Sequence, residues 1–286
     1  MKRMLIGCVM WLLALPLVAG NGPGSVRKQV EASMLLTGTI LVGPQGQVAE
    51  HAIDQPDKVP RQMLDFVTQN IAEWKFEPIL LEGKPVSVRN RMSVRLIARK
   101  TGDGKIRAHI GGVDFQPFSS QAEEGAEVAS RTMTPPSYPM SAAQAGIQGT
   151  VYLVIRVGRD GRVEDLVPEQ VNLKIVTNEG DMRYWRGVLE KSAMKAAQQW
   201  VFTPPVKGEN AELPFWSVRV PVDYTFDREA EKKYGEWDAY VPGPRQEIPW
   251  KNWSDLPGFS PDALVAGGVQ QVGGNGLRLL TRLSDS

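Results

Sequence analysis

Two imidazoles, one thiol and a few adjacent acids are what this chain offers for covalent or metal chemistry. His51 and His109 are the only histidines. Neither sits in a His-Glu-x-x-His or similar ligand spacing, so a metal site is not expected. A Ser–His–Asp triad would need one of them beside a Gly-x-Ser-x-Gly turn, which does not occur. Cys8 is the single cysteine and lies in an apolar run near the N-terminus. Beyond it there is no disulfide, thiolate nucleophile or zinc–cysteine site. Gly273-Gly274-Asn275-Gly276 lacks the Lys-Ser/Thr that completes a phosphate loop and reads as glycine-rich tail. Glu123-Glu124 are neighbours in a polar stretch, where acids are usually solvated, and a carboxylate hydrolase is carried only as a third reading. The expectation is therefore no enzyme, no catalytic residue, no cofactor and no metal.

The N-terminus reads as a targeting segment. Met1-Lys2-Arg3 is basic, Leu5–Val18 is apolar, and Val18 and Gly20 are small enough for cleavage before Asn21. The alternative is an uncleaved anchor, but spanning a bilayer takes about 20 apolar residues and this run is shorter. Cys8 lies too early for a lipoprotein cysteine. Without Lys2 and Arg3 the 33 basic residues fall to 31 against 32 acidic ones. No basic field exists to hold nucleic acid. The expected location is the periplasm, with inner-membrane anchoring as the alternative, and membrane contact only if the N-terminal segment is retained.

At 286 residues the chain has room for about two domains. Its 28 Gly and 21 Pro point to many turns rather than a helical bundle. Leu36, Gly38, Ile40 and Val42 alternate with Thr37, Thr39 and Leu41, which is strand periodicity. Gly43-Pro44-Gln45-Gly46 turns the chain, and Gln47–Ile53 returns. Met63, Val67, Ile71 and Trp74 make one helical stripe after Pro60, and Glu77-Pro78 is expected to stop the helix. Val86, Val88, Met92, Val94, Leu96 and Ala98 then alternate as a strand with one buried face.

The order repeats. Val151, Leu153, Ile155 and Val157 alternate, Asp160-Gly161 signals a hairpin, and Val163–Val167 returns. Trp185, Val188, Leu189, Ser192, Ala193, Ala196 and Trp200 form a helical stripe that Pro204-Pro205 is expected to end. Trp216, Val218, Val220, Val222, Tyr224 and Phe226 alternate along a last strand. Trp74-Lys75-Phe76-Glu77-Pro78 matches Trp200-Val201-Phe202-Thr203-Pro204, with core packing of helix on sheet as the expected role of both tryptophans. The fold class expected is α+β: two small modules, each a three-stranded antiparallel sheet with one helix packed on it. The domain plan is 1–20 signal peptide, 34–99 first repeat, 100–135 linker, 136–226 second repeat and 227–286 charged helix and Pro/Gly-rich tail. Within the linker a pair of strands around Ile106–Phe115 is the alternative to a loop. Trp237, Trp250 and Trp253 either pack back on a domain or form a partner surface.

Several spaced motifs in 136–226 carry a resemblance. They are Pro136-Ser137-Tyr138-Pro139, the run Ala142–Val151 with its alanines and Gly149, Asp160-Gly161-Arg162-Val163, and Ala193–Pro204 with its Trp-x-Phe-x-Pro end. In this order they resemble the TonB C-terminal domain family, the periplasmic end of the energy transducer that acts on outer-membrane transporters. The resemblance covers about a third of the chain. Segment 34–99 keeps the Trp-x-Phe-x-Pro and the flanking strands without the Tyr-Pro lead-in, and reads as a divergent second copy. Energy transducers of the family keep an N-terminal anchor with polar residues and a long Pro-rich spacer. Leu5–Val18 has no His or Ser, so the expectation is a binding end without the energy-coupling end.

The resemblance implies binding by β-augmentation, in which an extended peptide adds a strand to an exposed sheet edge. Pro221 sits mid-strand, where proline is tolerated mainly at edges. Ser217, Arg219, Pro221, Asp223 and Thr225 would then share the open side while Val218, Val220 and Val222 pack inward. The competing role for Pro221 is protection against aggregation. The family lead-in also touches the transporter, which adds Arg131, Tyr138 and Pro139; a packed Tyr138 ring whose hydroxyl caps a loop is the competing role there. The partner expected is an outer-membrane transporter segment or another envelope protein. The alternative is a structural envelope scaffold or homodimer with paired edges.

Overall fold

The computed structural model describes residues 22–100, 105–117, 125–208, 210–226, 234–273 and 277–283. The signal segment with Cys8, Glu123-Glu124, residues 227–233 of the expected charged helix and Gly274-Asn275-Gly276 lie outside them. The first half runs α1 (Pro23–Arg27), β1 (Glu31–Val42), β2 (Val48–Ile53), α2 (Arg61–Ala72), β3 (Leu80–Leu81), β4 (Lys84–Pro85), β5 (Val88–Lys100) and β6 (Ile106–Pro117). The second runs β7 (Ala129–Thr132), α3 (Met140–Gln144), β8 (Gly149–Gly158), β9 (Val163–Leu173), α4 (Glu179–Ala197), β10 (Val201–Thr203) and β11 (Phe215–Tyr224). The tail adds β12 (Asp238–Tyr240) and β13 (Gln270–Gln271). Among the described residues no helix is long and apolar enough to cross a membrane.

The chain is α+β with antiparallel sheets. Alternation builds both large sheets as it should. Met34, Leu36, Ile40, Met92, Val94 and Leu96 are buried on the face that meets Val67 and Ile71 of α2. Val151, Leu153, Ile155, Val218 and Val220 are buried against Met182, Leu189, Ala193 and Ala197 of α4. Asn178 caps α4, its side-chain oxygen accepting the Asp181 N–H at 3.0 Å, and Glu179 and Asp181 place negative charge at the helix start.

Neither sheet stops at three strands. In the first, β2 and β12 share one side of β1, β5 takes the other, and β6 extends the sheet past β5. In the second the order is β9-β8-β11-β13. The stretch 100–135, expected as a linker loop, holds β6 and β7. Gly111-Gly112 hid β6 by breaking its period. The ladder shifts register there, a bulge between Arg95 and Leu96. A Cβ on Gly111 would come within 2.3 Å of Ile97, and one on Gly112 within 2.5 Å of Ser260. Past the bulge Val113 and Phe115 return to the core.

The helices also end before their prolines. α2 stops at Ala72 and α4 at Ala197, because each Trp-x-Phe segment is extended rather than helical. Phe76 N–H donates to Gly46 O at 2.7 Å, and Phe202 N–H donates to Gly161 O at 2.8 Å. Gly46 and Gly161 lie at φ +76° and +78°, and a Cβ there would meet the Phe76 and Phe202 carbonyl oxygens at 2.0 and 2.1 Å. Only glycine fits a joint that needs both positive φ and that close an approach. Trp74 and Trp200 are buried beside these joints, as core packing requires.

The faces turned away from the helices are covered over their central part, although Arg91 and Asp223 on them remain exposed. Ser33, Ser93, Arg95 and Asp114 on the first sheet, and Thr150, Glu169, Asn172, Ser217 and Arg219 on the second, are buried. Tail residues complete this layer. Arg95 donates to Ser33 Oγ at 2.7 Å and lies 3.7 Å from Asp262. The Tyr240 hydroxyl bridges Asp262 and Glu31 at 2.7 and 3.1 Å. Ser93 donates to Ala263 O at 2.6 Å. One short run ties the sheets together: Asp238–Tyr240 pairs with β1, and Val241 bridges to Leu173 of β9.

Candidate strand-binding edge and its occupant

β11 pairs with β8 from Phe215↔Gly158 to Tyr224↔Gly149, which leaves its other edge for a further strand. Backbone groups in a strand alternate in direction, so residues of one parity point outward together. Ser217 and Pro221 are of that parity, and their carbonyls are turned outward. Ser217 O accepts the Val272 N–H at 2.8 Å, and Pro221 O accepts the Gly267 N–H at 3.1 Å. Between them β13 lies antiparallel, with Val218 opposite Gln271 and Arg219 opposite Gln270. The edge expected to be open is thus occupied, over Ser217–Pro221, by the chain's own tail.

The tail also covers side chains expected to face a partner. The Ser217 hydroxyl accepts the Trp250 indole N–H at 3.1 Å. Arg219 is only 3% exposed. It donates to both Glu169 oxygens at 2.8 and 3.2 Å and to Asp255 at 2.6 Å, and stacks 4.5 Å over Phe259. Burial works against the guanidinium charge, but Glu169 and Asp255 outweigh it and hold its pKa above the ordinary value. A charge paired and hydrogen-bonded in this way is anchored in the interior and is not free for a partner.

Farther along, the edge opens. Asp223 is exposed and accepts the Thr150 hydroxyl at 2.6 Å, and Thr225 follows just beyond the strand. Pro221, Asp223 and Thr225 line a cleft of about 560 Å³ between the two sheets, with Leu35, Thr37 and Tyr234 across from them. Tyr138 packs at the same end of β11. Its ring stacks on half-exposed Phe226 at 4.9 Å and meets Tyr224 edge-on at 5.4 Å. Its hydroxyl donates to Ile147 O, the loop-capping role, and burial pushes its pKa up to about 12. Pro139 sits at the start of α3, where its carbonyl accepts the Ala143 N–H. Arg131 is exposed on β7, which pairs with β10 rather than with β11. The structure therefore brings Tyr138, Asp223 and Thr225 to one end of the edge, buries Ser217 and Arg219 at the other, and sets Arg131 apart.

The occupant itself was missed. Val269-Gln270-Gln271-Val272 between Gly267-Gly268 and Gly273 is a short strand-forming run bracketed by turn residues, a signal obscured by the glycines. Gln270 Nε2 donates to Asp114 Oδ1, and Gln271 Oε1 accepts the Val128 N–H at 2.8 Å. Asp114 is 4% exposed, and burial pushes its carboxyl pKa up to about 6. Of the three tryptophans in the tail, Trp250 packs on β11 through Ser217, Trp253 lies 5.9 Å from the Lys251 ammonium, and Trp237 is 38% exposed.

Residues 134–226 match the family model described as Gram-negative bacterial TonB protein C-terminal. Two curated relatives, each named Protein TonB, come from Xanthomonas campestris pv. campestris strains B100 and ATCC 33913. Each is 32% identical over 102 residues, which is 35% of this chain and 39% of the relative. A structure described as the solution NMR structure of the Pseudomonas aeruginosa TonB CTD is 18% identical and covers 36% of this chain and 90% of its own, at a TM-score of 0.25. The chain thus spans well under half the length of the curated relatives it matches. The segment whose outer edge β13 occupies is the segment similar to the C-terminal domain of TonB.

Proposed function

We propose that residues 134–226 are a protein-binding module of the TonB C-terminal type. It takes up an extended segment of an outer-membrane transporter, or of another envelope protein, by adding it as a strand to β11. One observation carries this reading: the β11 edge already accepts a strand, through the main-chain bonds to Val272 and Gly267. Main-chain pairing of this kind supplies affinity, and flanking side-chain pockets supply selectivity. Asp223, Thr225 and the Tyr138–Phe226 ring pair mark the end where, among the described residues, no strand pairs with the outer side of β11. The basic start and apolar run of 1–20 support a periplasmic location. No catalytic step is assigned.

Residues 34–99 are, on the same reading, a divergent copy of the module. The matched joints at Gly46–Phe76 and Gly161–Phe202 support this. So does the shared strand order, with a hairpin, a helix and a last strand that returns beside the first.

Hydrogen exchange on the full chain tests the binding reading. Synthetic periplasm-facing segments of outer-membrane transporters should slow exchange at the Asp223 and Thr225 amides. Unchanged exchange at both, across a panel of such segments, would sink it. A concentration-dependent rise in molecular size, without binding of any segment, would favour the scaffold alternative.

A further inference from the structure

The strand that closes β11 is a poor fit in one respect. Gln270 is directed at Asp114, which already accepts a bond from Gln116 at 3.1 Å. A carboxamide carries an acceptor as well as donors. Here the acceptor, Gln270 Oε1, is buried without a partner. Burying an unpaired polar atom weakens the closed state. A donor-only side chain at this position would make the bond to Asp114 without that penalty.

Charge points the same way. The acids gathered at this end of the edge are Asp114, Glu127, Glu169 and Asp255. The bases are Arg219, held by Glu169 and Asp255, and Lys251, 2.9 Å from Asp255. Asp114 has no cation of its own in direct contact among the bonds described for it. Arg219 lies near enough to favour the Asp114 carboxylate but is already bonded to Glu169 and Asp255, so four acids here share two bases, and the groove lined by Phe115, Gln116 and Gln270, about 150 Å³, has room for a further side chain.

We propose that residues 267–272 are a built-in occupant of the β11 edge that a second extended segment displaces, and that the displacing segment carries a basic side chain where the chain itself has Gln270. This rests on the strand-addition reading above and adds the competitor and the chemistry it is replaced by. The occupant is held by few main-chain bonds and by two glutamine side chains. It thus keeps a sticky edge covered while remaining weak enough to yield.

Peptide binding to the full chain tests this. The probe is a fluorescent synthetic peptide with this chain's sequence from Gly267 to Gly273, and a second peptide differs from it only by Gln270→Arg. The released chain is Val272→Pro, which deletes the N–H given to Ser217 O. The unaltered peptide should bind the released chain at least about tenfold more tightly than the wild-type chain, since a weakened occupant competes less. The Gln270→Arg peptide should bind about tenfold more tightly again. Asp114→Asn in the released chain should abolish that second gain. Equal binding to wild-type and released chains would overturn the built-in occupant. Equal binding of the two peptides would overturn the basic side chain. If Val272→Pro does not melt cooperatively, Gln271→Ala, which removes only the bond to the Val128 N–H, serves with the same readouts and a gain of about threefold. Binding of the tail peptide without binding of any transporter segment would leave this inference standing and remove the transporter reading. The reverse result would remove this inference alone.

Discussion

β5 and β11 occupy the same place in their sheets, each the last strand to return beside the first, yet their outer edges are closed in opposite ways. β6 follows β5 almost directly in the chain and pairs with it from Asn90↔Pro117 to Lys100↔Ile106. β13 is a two-residue strand that arrives at β11 from far along the tail. The first edge is sealed by a local hairpin, whose closure costs little chain entropy and yields a long ladder. The second is closed by a remote segment with few bonds. A similar complementarity holds at the joints. Val201–Thr203 is backed by β7, which precedes it, whereas Lys75–Glu77 is backed by Arg278–Leu280 from the C-terminal end. One half has surrendered its edge to structure and the other has kept an edge that can be vacated.

The comparison can be broken first at the tryptophans. Trp74→Ala and Trp200→Ala should each cost about 3–5 kcal/mol in urea unfolding, as large aromatic deletions in cores do. A cost below about 1 kcal/mol for Trp74→Ala would separate the joints energetically. Gly46→Ala and Gly161→Ala come next, each expected to cost about 3 kcal/mol because positive φ and a carbonyl contact are both violated. A tolerated Gly46→Ala would mean that the first joint relaxes where the second does not.

Asp114 gives a smaller effect with a distinctive sign. Its folded carboxyl pKa, near 6, lies above the unfolded value near 4, so the folded state holds the proton more tightly. The associated stability is fully present below about pH 4 and is lost as pH rises to about 6, by roughly 2 kcal/mol. Chemical denaturation across that window should show the decline, and Asp114→Asn should flatten it. A slope that survives Asp114→Asn would assign it elsewhere. Last, the two edges should differ in opening. Amides of β6 that face β5 are expected to exchange at least about tenfold more slowly than those of Gln270 and Val272. Equal protection would mean that the second edge is as firmly sealed as the first.

Much of the fold was legible because it follows from period. Val151 to Val157 and Trp216 to Tyr224 alternate, and the stripes ending at Trp74 and Trp200 have helical spacing, although α2 stops at Ala72 and α4 at Ala197, short of both tryptophans. The Trp-x-Phe-x-Pro pair shows the two halves to be alike, but its prolines lie past the helix ends, because Trp-x-Phe is extended. β6 was harder to see because a bulge at Gly111-Gly112 shifts its alternation by one. The polar layer was not legible at all. Ser93, Arg95, Ser217 and Arg219 have the pattern of a solvent face, and nothing in a strand's own sequence tells that a second sheet and a tail will cover it. For the same reason the site was half read. The parity of Ser217, Arg219 and Pro221 followed from the strand, whereas their occupation by Gln270 and Gln271 depends on a contact between distant parts of the chain.

The run from Asp238 to Val241, which pairs with one sheet and bridges to the other, also sets an order of events. Its full set of bonds needs β1 and β9 both in place, so its docking is complete only after both sheets have formed. Wherever residues 238–272 are undocked, the polar faces they cover are wet and the β11 edge is bare. A state with the tail undocked is thus the more adhesive one, and docking covers it.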